Sequence, residues 1–184
     1  ILVLVDQAET DLFFLELELR DRFPGLRIVP IVGDIVDEPT LRRTFETYAP
    51  ERVFHAAAYK HVPMMETNAA EAIRNNVIGT WRVAEAAGRE GAKTFVLVST
   101  DKAVRPANVM GATKRLAEMI VLELQERYPE TAYGAVRFGN VLGSRGSVLP
   151  IFKRQLANGE PLTVTHPEAT RYFIPFSHAC DSDS

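Results

Sequence analysis

The sequence predicts an α/β protein built on a doubly wound parallel sheet, and three observations lead to this class. Short apolar runs alternate with stretches of helical periodicity along almost the whole chain. The apolar runs are nearly continuous rather than alternating, which is typical of parallel strands that helices cover on both faces. The connections are short, and no linker or internal repeat interrupts them. In a sheet of this kind, ligands bind at the carboxyl ends of the strands.

The apolar pattern predicts six strands and five helices. The strands cover residues 1–5, 27–32, 52–55, 94–99, 132–138 and 162–165. The helices cover residues 12–23, 41–48, 69–89, 111–128 and 148–158. Helical spacing in the segment 111–128 predicts a core-facing stripe that consists of Ala112, Leu116, Ile120, Val121 and Leu124.

The composition limits the class of protein. The 184 residues, of which 46% are hydrophobic and 24% charged, suffice for one globular domain. We predict a single domain over residues 1–173 and a polar tail over residues 174–184. A formal net charge of -3 without a long basic run argues against a nucleic-acid partner. The single cysteine, Cys180, permits neither an internal disulfide nor a zinc site, so a reducing, cytoplasmic location is expected.

The first residues indicate that the sequence starts inside a fold. No stretch approaches the roughly 18–20 apolar residues that span a bilayer, and no signal peptide is visible. The chain begins with ILVLVD, which is the pattern of a buried strand, and not with methionine. We therefore expect a fragment that lacks an upstream strand, its Gly-rich turn and the following helix.

Acidic residues at the ends of two predicted strands indicate a cofactor site. No G-x-G-x-x-G motif occurs, but Asp6 ends the first strand, where a dinucleotide-binding fold places an acid on the adenosine ribose. Asp34 and Ile35 follow the next strand, where the carboxylate is placed to accept a hydrogen bond from adenine and the isoleucine to contact its ring. A helix cap at Asp6 and a plain turn at Asp34 are the alternatives.

Small residues follow the third predicted strand. Ala56, Ala57 and Ala58 leave room for a dinucleotide near the backbone, although tight packing of the strand exit explains them equally well. The order of these signals at consecutive strand ends favours the cofactor interpretation. NAD is the expected cofactor, because the carboxylate of Asp6 would repel the 2′-phosphate of NADP. NADP remains the alternative.

Four longer segments resemble one enzyme family. They are FHAAAYKHVPMMETN (54–68), NNVIGT (75–80), VSTDKAVRPANVMGATKR (98–115) and RFGNVLGSRGSVLPIF (137–152). Together they resemble the extended short-chain dehydrogenase/reductase superfamily, in its branch of nucleoside-diphosphate-sugar 4,6-dehydratases for surface polysaccharides. The resemblance reaches THPEATRYF (165–173) and is closest for UDP-N-acetylglucosamine 4,6-dehydratase-like proteins. It implies a Rossmann-like, NAD(P)-binding fold.

The resemblance also implies a reaction. Bound NAD⁺ takes a hydride from C4 of the sugar, water leaves across C5 and C6, and the hydride returns to C6. The protein has to supply a hydroxyl and a base at C4, a base at C5 and an acid for the C6 hydroxyl. The implied substrate is UDP-N-acetylglucosamine or a similar UDP-N-acetylhexosamine, and the product is a 4-keto-6-deoxy sugar nucleotide.

The STDK motif and a later lysine match the catalytic positions of this family. Thr100 lies where the superfamily has its catalytic hydroxyl, with Ser99 as an adjacent alternative. The resemblance makes Asp101 the acid for the C6 hydroxyl and Lys102 the base at C5. Because a lysine with an ordinary pKa of about 10.4 is a poor base at neutral pH, this role requires desolvation or a nearby cation. Lys114 matches the lysine that binds the nicotinamide ribose.

One position departs from the commoner pattern of the superfamily. A tyrosine is usual four residues before the lysine, and this chain has Met110 there. Methionine neither gives nor takes a proton, but large polysaccharide-type members of the family carry it. The base for the C4 hydroxyl therefore stays open between Lys114, Asp101 and a water molecule. The alternative is that Met110 marks a loss of activity.

Further residues resemble substrate-binding positions. Lys60 matches a position near the substrate phosphates. Asn140 is placed to bind a diphosphate or sugar oxygen, and Ser147 lies at the start of a helix, where phosphate is favoured. Arg171 is able to bind a diphosphate through two parallel hydrogen bonds. Asn76 is expected to brace the central helix or the strand ends rather than to contact substrate.

Two other functions are compatible with these residues. One is an epimerase of the same superfamily acting on nucleoside-diphosphate sugars. The other is a non-catalytic Rossmann-like binding module, which Met110 and the missing Gly-rich turn favour. We also expect a homo-oligomer. Full-length relatives often carry a membrane-spanning N-terminal region, which would anchor a longer parent protein at the cytoplasmic face of the inner membrane.

Overall fold

A computed structural model describes residues 1–141, 148–163 and 173–174, with the backbone alone for Val148 and Ile174. The chain divides into two compact units, Ile1–Val136 and Arg137–Ser184, which are described separately. None of the helices in the described part of the chain combines the length and the apolar character needed to cross a membrane.

The first unit alternates strands and helices in the predicted order. Its strands are β1 (Leu2–Asp6), β2 (Ile28–Val32), β3 (Arg52–His55), β4 (Thr94–Thr100) and β5 (Ala132–Phe138), whose last two residues fall in the second unit. Its helices are α1 (Glu9–Arg22), α2 (Glu38–Tyr48), α3 (Val62–Thr67), α4 (Ala69–Ala72), α5 (Thr80–Arg89) and α6 (Val109–Arg127). A π-helical segment, Ile73–Gly79, joins α4 to α5, and a 3₁₀ turn, Asp101–Ala103, follows β4.

The strands of the first unit form two sheets. β1 pairs with β2 in parallel, while β3 pairs in parallel with β4, which has β5 on its other side. A doubly wound sheet has the order 3-2-1-4-5-6. The first sheet matches positions 3-2 and the second positions 4-5-6, whereas position 1 has no counterpart among the described strands. The prediction of a parallel α/β fold is confirmed.

The second unit contains β6 (Asn140–Val141), α7 (Val148–Ala157) and β7 (Phe173–Ile174). β6 and β7 pair in parallel. After α7, the side chain of Gln155 donates to the Thr163 hydroxyl at 2.6 Å and accepts from the Thr163 backbone N–H at 3.3 Å. Because this N–H bonds to a side chain, the strand predicted for 162–165 is wrong at Leu162 and Thr163. The other two residues of that strand lie outside the described part.

Side-chain caps explain where two helices begin. The Asp37 carboxylate accepts from the Thr40 backbone N–H at 3.2 Å, so α2 starts three residues before the predicted position. The Asn108 side chain accepts from the Gly111 N–H at 2.8 Å, so α6 starts two residues early. Neither cap belongs to the apolar pattern from which the helices were predicted, which accounts for both differences.

The core of the first unit lies mainly between the sheet formed by β3, β4 and β5 and the helices α2, α5 and α6. Burial alternates along β4, so that Phe95, Leu97 and Ser99 are buried and the residues between them are half-buried. The buried members of the main cluster are Ile35, Leu41, Phe45, Val83, Ala84, Ala86, Ala87, Ala92, Phe95, Leu97, Ala117, Val121 and Leu124.

The core-facing stripe predicted for α6 is partly wrong. Val121 and Leu124 are buried as predicted and Ile120 packs against the core, but Ala112 and Leu116 are exposed. The buried face instead includes Lys114 and Glu118, together with Met110, Gly111, Thr113, Ala117, Val121 and Leu124. The helix is therefore rotated relative to the apolar stripe, because polar side chains find partners in the interior.

Truncation of Phe95 should test where the core lies. Its side chain is completely buried, so Phe95→Ala should lower the free energy of unfolding by about 3–5 kcal/mol through lost contacts and a residual cavity. Phe54→Ala is the matched control, because Phe54 lies on the neighbouring strand with 72% of its surface exposed and should cost less than about 0.5 kcal/mol. Urea denaturation measures both. Equal losses would contradict this placement of the core.

Candidate functional site

The carboxyl ends of β1, β2 and β3 open into one groove with a volume of about 190 Å³. Its lining consists of Val5, Asp6, Gln7, Gly33, Asp34, Ile35, Ala56, Ala57, Ala58, Tyr59 and Asn75. The structure thus brings together every residue that the sequence predicts for the cofactor except Lys114. Small-molecule sites typically have volumes of roughly 300–1,000 Å³, so this groove is large enough for only part of a dinucleotide.

Both acidic residues of the groove also serve the local backbone. One oxygen of Asp6 accepts from the Ala8 N–H at 2.8 Å, and one oxygen of Asp34 accepts from the Val36 N–H at 3.0 Å. The second oxygen of Asp34 lies 3.2 Å from the Arg74 guanidinium, on the π-helical segment. The turn role left open for Asp34 is therefore real, whereas the helix-cap role left open for Asp6 is wrong, because its bond to Ala8 precedes α1 and this helix begins without a side-chain cap. These bonds do not exclude a ligand role, because Asp6 is exposed and each local bond uses one oxygen.

Ile35 belongs mainly to the core. It contributes to the groove lining, but 8% of its surface is exposed and it packs in the main cluster. A Cβ atom at Gly79 would lie 2.5 Å from the Ile35 Cδ1 atom. Glycine therefore allows the π-helical segment to lie directly against Ile35, which fixes this wall of the groove.

Asn76 braces the loop after β3 against α6. Its Oδ1 atom accepts from the Tyr59 backbone N–H at 2.8 Å and from the Asn75 amide at 3.1 Å. Its Nδ2 atom donates to the Tyr59 carbonyl at 3.0 Å and to the Thr113 hydroxyl at 3.1 Å. The side chain is fully buried, and these contacts use both of its donors and both acceptor positions. The predicted bracing role of Asn76 is confirmed.

His55, the last residue of β3, is buried and neutral. Burial, and to a smaller extent the charge of Lys114, lower the pKa of His55 to about 3. Its Nε2 atom lies 2.9 Å from the Thr80 hydroxyl, which itself donates to the Asn76 carbonyl at 2.7 Å. Because the hydroxyl hydrogen is used in that bond, Nε2 carries the proton and His55 donates to Thr80.

The two hydroxyl residues at the end of β4 have different partners. Ser99 is buried, and its hydroxyl donates to the Glu118 carboxylate at 2.6 Å. Thr100 is half-buried; its hydroxyl donates to the Asp101 carboxylate at 2.9 Å and accepts from the Lys102 N–H at 3.4 Å. Since neighbouring residues of a strand point to opposite faces, the two hydroxyls cannot serve the same site. The arrangement favours Thr100 over Ser99 as the reactive hydroxyl.

Asp101 and Lys102 form an ion pair on the 3₁₀ turn. The Lys102 Nζ atom lies 3.0 Å from the same Asp101 oxygen that accepts from Thr100. Partial burial alone would raise the pKa of Asp101, but the hydrogen bonds from Lys102 and Thr100 outweigh it and lower this pKa. About a third of each side chain is exposed. Three predicted catalytic residues thus form one continuous hydrogen-bonded chain.

Gly111 allows α6 to lie against this turn. A Cβ atom at this position would lie 2.5 Å from the Lys102 carbonyl oxygen, which is a backbone atom with little freedom to move. The first turn of α6 and the Asp101–Ala103 turn are therefore in direct backbone contact. This contact holds the candidate acid and base at a fixed place relative to the helix that carries Lys114.

Lys114 is buried beside β4. It is 4% exposed, and its Nζ atom donates to the Val98 carbonyl at 2.7 Å. Burial lowers the pKa of Lys114 to about 8, against an opposing effect of the Glu118 carboxylate. The amine is therefore mostly charged at neutral pH, and loses its proton more readily than an exposed lysine.

Met110 lies in a small apolar cluster and not among the proton carriers. It is buried with Met65 and Ala72, and Tyr59 packs against this cluster. The Tyr59 hydroxyl lies 3.5 Å from the Gln7 amide and faces the groove. Met110 thus supports the groove wall through packing.

The remaining predicted residues lie elsewhere. Lys60 is exposed on the loop after β3, and Asn140 is half-buried on β6 of the second unit. Ser147 and Arg171 lie outside the described residues. Over the described ranges, no group of three or more His, Cys, Asp or Glu side chains is arranged to hold a metal ion.

Three residues of this region escaped the sequence analysis. Glu118 and His55 are 3% exposed, and Tyr59 lines the groove. One signal was available for Glu118, because it follows Lys114 by four residues, which places both on one face of a helix. His55 and Tyr59 gave no comparable signal, since their partners are distant in sequence.

Comparisons with known proteins show the family of this chain. A family model described as a polysaccharide biosynthesis protein matches residues 1–182. The chain belongs to this family. The resemblance seen in the sequence motifs is thereby confirmed at the level of the family.

Relatives in this group carry different functional names. The chain is 48% identical over 179 residues to the capsular polysaccharide biosynthesis protein CapD of Staphylococcus aureus, covering 97% of the chain and 30% of CapD. It is 38% identical to an inverting UDP-N-acetylglucosamine 4,6-dehydratase of Campylobacter jejuni, covering 78% of the chain and 44% of that protein. It is 36% identical to a UDP-glucose 4-epimerase of Rickettsia massiliae, with shares of 89% and 48%. The chain thus spans less than half the length of each.

Solved structures confirm the Rossmann-like fold. Pen from Bacillus thuringiensis is 35% identical with a TM-score of 0.88, over 97% of this chain and 56% of that one. MoeE5, whose structure contains UDP-glucose and NAD, is 26% identical with a TM-score of 0.80, over 97% of this chain and 69% of its own.

His55 should make the chain less stable in weak acid. Its pKa is lower in the folded state, about 3, than the ordinary 6.5, so the unfolded state binds a proton first as the pH falls below 6.5. Between pH 7 and pH 5 this group should remove about 2 kcal/mol of stability. His55→Asn should flatten the pH dependence of the free energy of unfolding by that amount, whereas the exposed His61→Asn should leave it unchanged. Equal pH dependence in all three proteins would contradict a neutral, buried His55.

Proposed function

We propose that the whole protein carrying this chain is a UDP-N-acetylhexosamine 4,6-dehydratase that uses NAD, and that this chain supplies its proton carriers. The observation that carries the proposal is the hydrogen-bonded series of Thr100, Asp101 and Lys102 at the end of β4. The chain belongs to a family of polysaccharide biosynthesis proteins, and a relative of the chain is named as a 4,6-dehydratase, which also supports the proposal.

The groove fits the adenosine part of a dinucleotide. The exposed Asp6 carboxylate is suited to the ribose hydroxyls, and Asp34 to the adenine amino group once Arg74 moves aside. The small side chains of Ala56, Ala57 and Ala58 leave the backbone accessible. When bound, NAD supplies a reversible oxidation of the sugar at C4. The oxidation acidifies the proton at C5, and the protein's own groups act from there.

Thr100 and Lys114 both act at C4 of the sugar in this proposal. The Thr100 hydroxyl is assigned to the C4 oxygen, and its position at the end of β4, where ligands bind in this fold, supports this role. Lys114, with its pKa lowered by burial to about 8, is the strongest candidate for the C4 base that Met110 cannot provide. A group with a pKa near the working pH is well suited to proton transfer.

Asp101 and Lys102 act as one unit in this proposal. The carboxylate as it stands is no acid, and the ammonium as it stands is no base. A shift of one proton along their 3.0 Å contact converts both, giving a neutral amine for C5 and a protonated carboxyl for the C6 hydroxyl. Water stabilises the charged forms while a third of each side chain is exposed. Substrate that displaces this water favours the neutral pair.

An epimerase is the second candidate, and a specific observation supports it: a relative named UDP-glucose 4-epimerase is 36% identical to this chain. Epimerisation at C4 requires no proton carriers at C5 and C6, so the Asp101–Lys102 pair would have no role in it. The geometry at the end of β4 therefore favours dehydration. A non-catalytic binding module would likewise leave the pair unexplained.

Mass spectrometry should distinguish the two reactions. The whole protein is incubated with UDP-N-acetylglucosamine and NAD, and the sugar nucleotide is then analysed. A dehydratase gives a product that is lighter by one water. A product of unchanged mass with altered stereochemistry at C4 would refute dehydration in favour of epimerisation, and an unchanged substrate would favour a binding module.

Replacement of Lys102 should test the base at C5. In the whole protein, Lys102→Ala should lower the rate of water loss about 10²–10⁴-fold, because general base catalysis typically contributes this much. It should also abolish the exchange of the C5 proton with solvent deuterium. Lys93→Ala is the control, since Lys93 is an exposed lysine paired with Glu51, and it should keep both rates. Normal deuterium exchange in Lys102→Ala would exclude Lys102 as the base.

A further inference from the structure

Glu118 is a buried carboxylate that the proposed reaction does not use. It is 3% exposed and lies one helical turn beyond Lys114 on α6. A charge at this depth is costly unless it is paired and hydrogen-bonded. Ser99 donates to one of its oxygens at 2.6 Å, and the Arg115 guanidinium lies 3.2 Å from the other. The chain thus keeps a paired carboxylate in the interior, one helical turn from Lys114.

Glu118 is connected to two parts of the candidate site, the end of β4 and Lys114 on α6. Ser99 immediately precedes Thr100, so its bond to Glu118 ties the last residues of β4 to α6. Lys114 lies on the same face of α6 as Glu118, and the carboxylate opposes the effect of burial on the amine. Glu118 is therefore linked both to the strand end that carries the Thr100 hydroxyl and, through its charge, to the Lys114 amine.

We propose that Glu118 is a positioning residue for this site, which fixes the end of β4 to α6 through Ser99 and places a negative charge on the face of α6 that carries the Lys114 amine. This inference rests on the proposed function for its chemical purpose. Glu118 itself touches neither cofactor nor substrate in this proposal. It acts through Ser99 on the place of Thr100, and through the electric field on Lys114.

The charged and titratable groups around Lys114 come from several elements. Glu118 and Arg115 lie on α6 itself, and His55 at the end of β3 is neutral above its pKa of about 3. The Asp101–Lys102 pair lies on the turn that packs against the start of α6 and has no net charge. Glu118 is accordingly the group whose charge opposes the desolvation of Lys114.

A titration of Lys114 in this chain tests the electrostatic part. Lysine labelled with ¹³C at Cε is followed by NMR as the pH is raised, without sugar nucleotide or cofactor. The wild-type chain should titrate at a pH of about 8. Glu118→Gln keeps an oxygen for Ser99 but removes the charge, so the midpoint of Lys114 should fall by about one unit, the lower end of what a nearby opposite charge contributes.

Glu123→Gln is the matched control. It makes the same change of charge at an exposed position of the same helix and should leave the midpoint of Lys114 unchanged. A Glu118→Gln midpoint equal to that of the wild type would overturn the proposal. Because a merely structural role of Glu118 would not move this titration in the acid direction, the result separates positioning from packing.

Ser99→Ala tests the mechanical part, and does so even if Glu118→Gln fails to fold. It removes one hydrogen bond to a charged group, which is among the stronger hydrogen bonds of a protein. Backbone amides in residues 98–101 should exchange with deuterium at least about ten-fold faster, while amides at the start of β4 keep their rates. Unchanged exchange in residues 98–101 would refute the link through Ser99. Neither measurement involves turnover, so a whole protein without dehydratase activity would leave both results standing.

Discussion

The hydrogen bonds of Asn76 are the interaction on which the rest of the site depends. One buried amide holds both backbone groups of Tyr59 and the hydroxyl of Thr113. The groove wall after β3 and the helix that carries Lys114 are thereby fixed to a common point. Because every donor and acceptor of the amide is used, any displacement of one element leaves a buried polar group without a partner. This constraint fixes the position of the groove wall relative to α6.

Electrostatic balance is the second requirement of this region. The Lys114 amine is a positive charge in the interior. Burial, together with this charge, lowers the pKa of His55, so that His55 stays neutral. Glu118 supplies a compensating negative charge and is in turn paired with Arg115 at the surface. The exposed end of this arrangement is the Asp101–Lys102 pair, whose charges cancel. Each charge has a counter-charge nearby, which keeps the cost of burial low.

The sequence predicted the order of the main elements and the bounds of two strands, and it failed where the hydrogen bonds of polar side chains decide the structure. The bounds of β3 and β5 are the predicted ones, because apolar runs flanked by polar residues mark a strand directly. The buried face of α6 was wrong at Ala112 and Leu116, because hydropathy assigns Lys114 and Glu118 to solvent. Among the site residues, motifs located Thr100, Asp101 and Lys102, but their common hydrogen bonds are visible only in the folded structure. The catalytic roles of these residues remain predictions.

The π-helical segment Ile73–Gly79 limits how this chain is able to change during evolution. A π turn contains about one more residue than an α turn, so such a segment is equivalent to an α-helix with one extra residue. Asn75 and Asn76 lie within this segment, and Gly79 ends it against Ile35. Loss of one residue there would restore an ordinary helix and rotate the preceding part by about 100° relative to α5. The asparagine amide would then point away from Tyr59 and Thr113. A substitution in the segment therefore affects the contacts of one side chain, whereas a change in its length affects all of these contacts at once.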